Sequence, residues 1–172
     1  MKKNIKYVGV MILATLFSFL FHEFGHYLFG MLSGERMYMT LNSCDVIGGV
    51  YTNPSNEITV LWGGPIFSII QGIAFSIILI KQKKELLFPF VFMAFITNLV
   101  SLFINFFHPQ DGAKLGLHYG VGYWTLPALF FIILFTCIYF THTKNKLTFS
   151  FQLKNFVISV VITVIVVLID SI

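Results

Sequence analysis

The chain has 172 residues, 57% of them hydrophobic and 17% aromatic, and only 10% are charged, where a water-soluble domain carries roughly 25%. This composition, with apolar runs of about twenty residues, excludes a disordered chain, a disulfide-stapled secreted domain and a nucleic-acid binder built on a basic surface, and describes an integral membrane protein. The net charge of +4 speaks of orientation, because the basic residues all lie outside the apolar cores.

Taken in chain order, the apolar runs predict five transmembrane helices over residues 7–31, 60–80, 86–107, 123–140 and 156–169, the last of them short for a bilayer. The first run has the basic head and apolar body of a signal peptide, but no small-x-small cleavage site follows and the run continues past His22, so it is read as a span. Residues 32–59 make a polar connection. Gly48-Gly49 and Asn53-Pro54 are turn signals, and alternation over 37–41 and 46–52 predicts a small β-hairpin or ribbon. The expected fold is therefore an all-α membrane protein, one domain over 1–172, with that hairpin between its first two helices. Cys44 lies in the polar connection and Cys137 inside an apolar run, so neither a disulfide framework nor a paired-cysteine motif is available.

Over the predicted loops, Lys2, Lys3, Lys6, Lys81, Lys83, Lys84, Lys144, Lys146 and Lys154 fall on one side and only Arg36 and Lys114 on the other. By the positive-inside rule the N-terminus is cytoplasmic, and the first loop, the loop at Asp111 and the C-terminus face outward.

The ionisable residues of the first span stand together in His22-Glu23-Phe24-Gly25-His26, the pattern HExxH. Residues four apart on a helix share a face, so His22 and His26 can direct ring nitrogens at one ion, with Glu23 beside it and free of any need to bind it. Placed in lipid, such groups are costly unless they face protein, water or metal. A catalytic zinc commonly takes three protein ligands and keeps a fourth position for water. For the third ligand the candidates are His108, Asp111 and His118 after the third span and Glu35, Asp45 and Glu57 in the polar connection; topology puts His142 on the opposite face. Asp111 is the best placed. Pro109 is expected to end the helix and Gly112 to turn the chain back, and the first and third spans run in the same direction. Asn98, Ser101 and Asn105 form a stripe on the third helix, suited either to packing or, for Asn105, to donating to a reacting carbonyl. Gly64, Ser68, Gly72 and Ser76 give the second helix a small-residue face for close packing by the first and third.

These residues resemble the site-2-protease family of intramembrane zinc metalloproteases, most closely its small members without a PDZ domain. The resemblance covers roughly residues 21–112 and rests on HEFGH, on Gly63-Gly64-Pro65 opening the second span, and on the run from Asn105 through Pro109 to Asp111-Gly112. It implies a catalytic core over about 7–122 with accessory helices over about 123–172, one Zn2+ held by His22, His26 and Asp111, and Glu23 as catalytic base. The family's run is nearer Asn-x-x-Pro-x-x-x-x-Asp-Gly, so here the asparagine stands two residues too close and the proline is displaced; Asp111 carries over better than Asn105. The segment Gly48, Gly49, Val50, Tyr51 resembles the edge strand that in related proteases receives an unfolded substrate segment, or else belongs to a hairpin that only caps the site. Family members generally hold their zinc toward the cytosolic half of the membrane, whereas the lysine count points it outward; with every loop short, the count is the firmer guide.

The expected protein is thus a multi-pass, zinc-dependent endopeptidase of the cell membrane. Its partners are the lipid bilayer and a membrane protein or membrane-associated peptide as substrate, and no nucleic acid. The competing reading is a non-proteolytic membrane protein that binds or transports metal with the same residues.

Overall fold

The computed structural model describes the backbone of residues 2–170 and the side chains of residues 5–166, so the side chains of Lys2 and Lys3 fall outside it. Helix α1 covers Lys2–Leu32 and stops where Gly34 takes a φ of 84°, a conformation that costs glycine little. Strands β1 (Met37–Met39) and β2 (Cys44–Val46) follow. Then come α2 (Pro54–Gln82), one 3-10 turn at Glu85–Leu87, α3 (Phe88–Ile104), α4 (Asp111–His118), α5 (Thr125–Asn145) and α6 (Phe149–Asp170). Among the described residues five helices, all but α4, are long and apolar enough to cross a membrane. The expected all-α membrane architecture with a two-stranded hairpin between the first two helices is what is found.

Several boundaries differ from expectation, each for a local reason. Helix α2 begins at Pro54 and not at 60, because Asn53 caps it: its Oδ1 accepts the Ser55 N–H at 3.0 Å and Pro54 occupies the first helical turn. Hydropathy locates the apolar part of this helix and misses its polar first turns. For the same reason α6 starts at Phe149 and not at 156. Helix α3 stops at Ile104, short of Pro109, and α4 was not expected at all. The hairpin turns earlier than the alternation suggested, with Met37 opposite Val46 and Met39 opposite Cys44. Gly48 and Gly49 both have positive φ, 97° and 72°, so the segment Gly48, Gly49, Val50, Tyr51 is turn and irregular chain and not an edge strand.

The hairpin is seated by Met37 and Val46, which pack with Val60 of α2 and Tyr27 of α1. Its far end is tied down by Glu35, whose Oε1 accepts from Thr52 N and Oγ1 at 2.9 and 2.6 Å and from Asn56 Nδ2 at 2.7 Å. The hydrogen bonds from Thr52, then Asn56, hold the Glu35 carboxyl below its ordinary pKa. This carboxylate is a structural clasp for the connection.

Helices α1 and α2 run antiparallel in close contact. A Cβ at Gly25 would collide with the Gly63 carbonyl, and one at Gly63 with the Gly25 carbonyl, so the two backbones touch at that crossing as small residues in membrane helices allow. The small-residue face of α2 is buried throughout. The expected neighbours pack on it, Gly64 and Ser68 facing α1 and Gly72 facing Ala94 of α3, and α5 joins them through Leu134. The opposite face, with Ile70, Ile73 and Ile77, is exposed as a lipid-facing surface is. The main hydrophobic core lies in the half of the bundle away from the hairpin, around Met11, Leu79, Phe88, Val91, Phe92 and Met93. Buried polar links close that half as well, notably Tyr7 Oη to Asn155 Oδ1 at 2.5 Å between α1 and α6.

The helix order places Lys6, Lys81, Lys83, Lys84, Lys144, Lys146 and Lys154 at the end where α1 begins, and the hairpin with Arg36 and Lys114 at the other. Ser55 and Lys83 are exposed at opposite ends, which makes the orientation measurable in a background lacking Cys44 and Cys137. On intact cells a membrane-impermeant thiol reagent is expected to label Ser55→Cys and to spare Lys83→Cys. The reverse pattern would put the hairpin end in the cytosol.

Candidate metal centre

The HEFGH turn lies on α1 six residues before the helix ends at Leu32, about 9 Å inside that end at 1.5 Å per residue. His22 and His26 present their Nε2 atoms to each other at 3.2 Å. Asp111, the first residue of α4, brings Oδ2 to within 3.3 Å of each of them. Three potential ligand atoms thus form a triangle with edges of 3.2, 3.3 and 3.3 Å. A tetrahedral ion with bonds of about 2.0–2.1 Å sets its ligands roughly 3.3–3.4 Å apart, so the triangle has the size such an ion requires. Among the described residues this is the group of His, Cys, Asp and Glu side chains that converge closely enough to hold a metal.

Both imidazoles are oriented from behind. His26 Nδ1 lies 2.7 Å from the Val60 carbonyl, which can only accept, so Nδ1 carries a proton and Nε2 is the nitrogen turned to the triangle. His22 Nδ1 lies 2.9 Å from Ser68 Oγ of α2. Pro65 has no N–H for the carbonyl of Leu61, so the helical ladder of α2 is interrupted one residue beyond the carbonyl that His26 uses. Gly64 stands directly in front of the pair: a Cβ there would collide with Nε2 of both histidines. Two imidazole nitrogens and a carboxylate oxygen at these separations could offer their lone pairs to one shared cation.

Asp111 reaches this position through a loop rather than through a helix-ending proline. Asn105 Oδ1 accepts the Gln110 N–H at 2.6 Å, and Tyr123 Oη donates to the Asn105 carbonyl at 2.6 Å, so both halves of Asn105 hold the chain on either side of the turn. Gly112 does not supply the turn, having no positive φ. It lies inside α4, where a Cβ would press on Pro127 and Phe130 of α5 at 3.2 Å. Tyr123 and the α5 packing carried no signal in the sequence, because they act across the fold.

Glu23 is buried beside His22 and lines a cavity of about 660 Å3 that also receives His22, His26, Asp111 and Asn105. The remaining ligand candidates stand apart from the triangle. His108 and His118 are exposed, Glu35 serves the hairpin clasp, His142 Nδ1 contacts Gln152 at 2.7 Å at the lysine end, and Asp45 and Glu57 line the cavity wall without joining the cluster. Gly49 and Tyr51 line the cavity, while Val50 is 78% exposed. The strand edge at this cavity belongs to β2. Thr40 N bonds Ser43 O and Ile47 N bonds Arg36 O, so in the alternation of an antiparallel ladder the Cys44 peptide groups turn away from β1. Cys44 itself lines the cavity; burial, then the charges of Glu23 and Asp45, push its thiol up to about 12, so it stays protonated at neutral pH.

Comparisons with protein-family models, with curated proteins and with solved structures return no match for this chain.

The support behind the histidines makes a prediction about Zn2+ affinity, measured by competition with a chelator. Ser68→Ala is expected to weaken binding about tenfold by freeing the His22 ring. Gly64→Ala is expected to abolish stoichiometric binding by displacing both imidazoles, while Gly9→Ala, where a Cβ meets nothing within 4 Å, leaves it unchanged.

Proposed function

We propose that this chain is a zinc-dependent intramembrane endopeptidase of the site-2-protease type, multi-pass in the cell membrane, which hydrolyses a peptide bond of a membrane protein or membrane-associated peptide. The observation that carries the reading is the triangle of His22, His26 and Asp111 with Glu23 in the same cavity. Two imidazoles and one carboxylate are a donor set suited to zinc, and three protein ligands leave a fourth position open. Bound there, zinc would polarise the scissile carbonyl and make water nucleophilic at neutral pH.

The remaining chemistry falls to the chain's own groups. The Glu23 carboxylate takes the proton of the attacking water and returns it to the leaving amine. Asn105 keeps its Oδ1 on Gln110, so its amide N–H groups are left to steady the developing oxyanion. The outward-turned peptide groups of Cys44 in β2 offer backbone partners to an extended substrate segment, a role the sequence had suggested for residues 48–51, while the Val46 N–H on the same edge is taken by Asp45 Oδ1. Asp45, Glu57 and Tyr51 complete the mouth on the hairpin side.

The deciding experiment measures zinc content and cleavage of transmembrane peptides by the purified protein. Glu23→Gln is expected to retain one equivalent of zinc and to lose cleavage by at least about a hundredfold, since the amide keeps the shape and loses the base. His22→Ala combined with His26→Ala is expected to lose both metal and activity. Wild-type turnover by Glu23→Gln would sink the mechanism, and loss of zinc in that variant would make Glu23 a ligand and favour metal binding or transport.

A further inference from the structure

The cavity extends past the histidine pair toward the apolar interior, where Asn98 and Ser101 of α3 and Thr163 of α6 form part of its wall. Asn98 stands six residues before α3 ends at Ile104, about 9 Å below that end, at a depth where lipid supplies no hydrogen bonds. Four buried side-chain oxygens have no partner among the described residues, and two of them, Asn98 Oδ1 and Thr163 Oγ1, belong to residues that line this cavity. The contrast with their neighbours is instructive. Gln71 Nε2 is shared between Ser18 Oγ at 2.6 Å and the Phe90 carbonyl at 2.8 Å, and Thr97 Oγ1 bonds back to Met93 O at 3.0 Å. Buried polar groups in membrane helices are commonly satisfied in this way, across helices or within one; Asn98 Oδ1 and Thr163 Oγ1 are not.

A peptide cut beside Glu23 must be unwound there, and an unwound stretch inside a bilayer carries N–H and C=O groups that lipid cannot satisfy. A carboxamide supplies both an acceptor and donors, and a threonine hydroxyl supplies one of each. Resting on the proteolytic reading, we propose that this inner arm is the subsite for the substrate residues on the bilayer side of the cleaved bond. The Asn98 carboxamide takes up their unpaired backbone groups from α3, and the Thr163 hydroxyl does so from α6.

The test uses the full Glu23→Gln chain, zinc-loaded in lipid nanodiscs. The probe is a synthetic transmembrane peptide of leucine and alanine with a central glycine-rich break and a diazirine side chain on the bilayer side of it. Irradiation is expected to cross-link the probe to fragments containing Asn98 or Thr163. The yield should fall about fivefold in Asn98→Leu, the size of one or two lost hydrogen bonds, and largely recover in Asn98→Gln. Thr163→Val gives an independent second variant, and unchanged zinc content certifies each fold. Yields indifferent to both substitutions, or cross-links confined to lipid-facing positions such as Ile73, would overturn the subsite and leave the arm a hydrated vestibule. Cleavage of the same peptide by the chain with Glu23 intact is measured in parallel. Asn98-dependent capture without cleavage would remove the hydrolytic reading and keep the peptide site; cleavage with Asn98-independent capture would remove the subsite alone.

Discussion

The contact on which the site depends is the crossing of α1 and α2 at Gly25 and Gly63. Neither position admits a Cβ, because each would strike the other's carbonyl. At that separation the α1 histidines reach α2 directly, His26 to the Val60 carbonyl and His22 to Ser68. Wider helices would leave both rings without their rear partners and free to rotate. Such partners fix tautomer and orientation in metal sites and are commonly worth a factor of about 10–100 in affinity. Gly64 then provides the volume in front of the rings that any side chain would fill. Three consecutive features of α2, a contact glycine, a void glycine and a ladder-breaking proline, are thus one device serving the neighbouring helix.

Bringing in the third group takes more of the fold than the first two. Asp111 is delivered by a turn that α3 leaves unfinished at Ile104, and its course is set by Asn105, Tyr123 and the packing of Gly112 against α5. Helix α5 is therefore a structural partner of the end that holds His22, His26 and Asp111, as well as a lipid-facing span. This bears on Asn105, which the sequence left open between packing and chemistry. Its Oδ1 and main-chain carbonyl are engaged in the turn, and only its amide hydrogens remain available to anything that enters the cavity.

Those features mark what was legible in the sequence. HEFGH could be read because its chemistry and its geometry are both local, a four-residue spacing on one helix. Asp111 could be read from topology, since two spans of the same direction end at one face. The five spans were legible from hydropathy, but their polar caps at Asn53 and beyond were not. Less accessible were facts set by contacts between distant segments. The meaning of Gly63 lies in Gly25, that of Gly112 in Phe130, and the hairpin register in how Met37 and Val46 meet Val60. The expected edge strand at residues 48–51 failed because alternation alone does not reveal that Gly48 and Gly49 adopt positive φ.

The bundle divides its labour along its length. At the lysine end the interior is close-packed around Phe88, Phe92 and Met11, and polar groups such as Tyr7 and Asn155 satisfy one another. Toward the hairpin the interior opens into the cavity, whose wall includes the unpartnered Asn98 Oδ1 and Thr163 Oγ1. An apolar core is tightly packed as a rule, and each void forfeits contacts that would otherwise stabilise the fold. The close glycine crossing lies within this open half, between the two histidines that it positions.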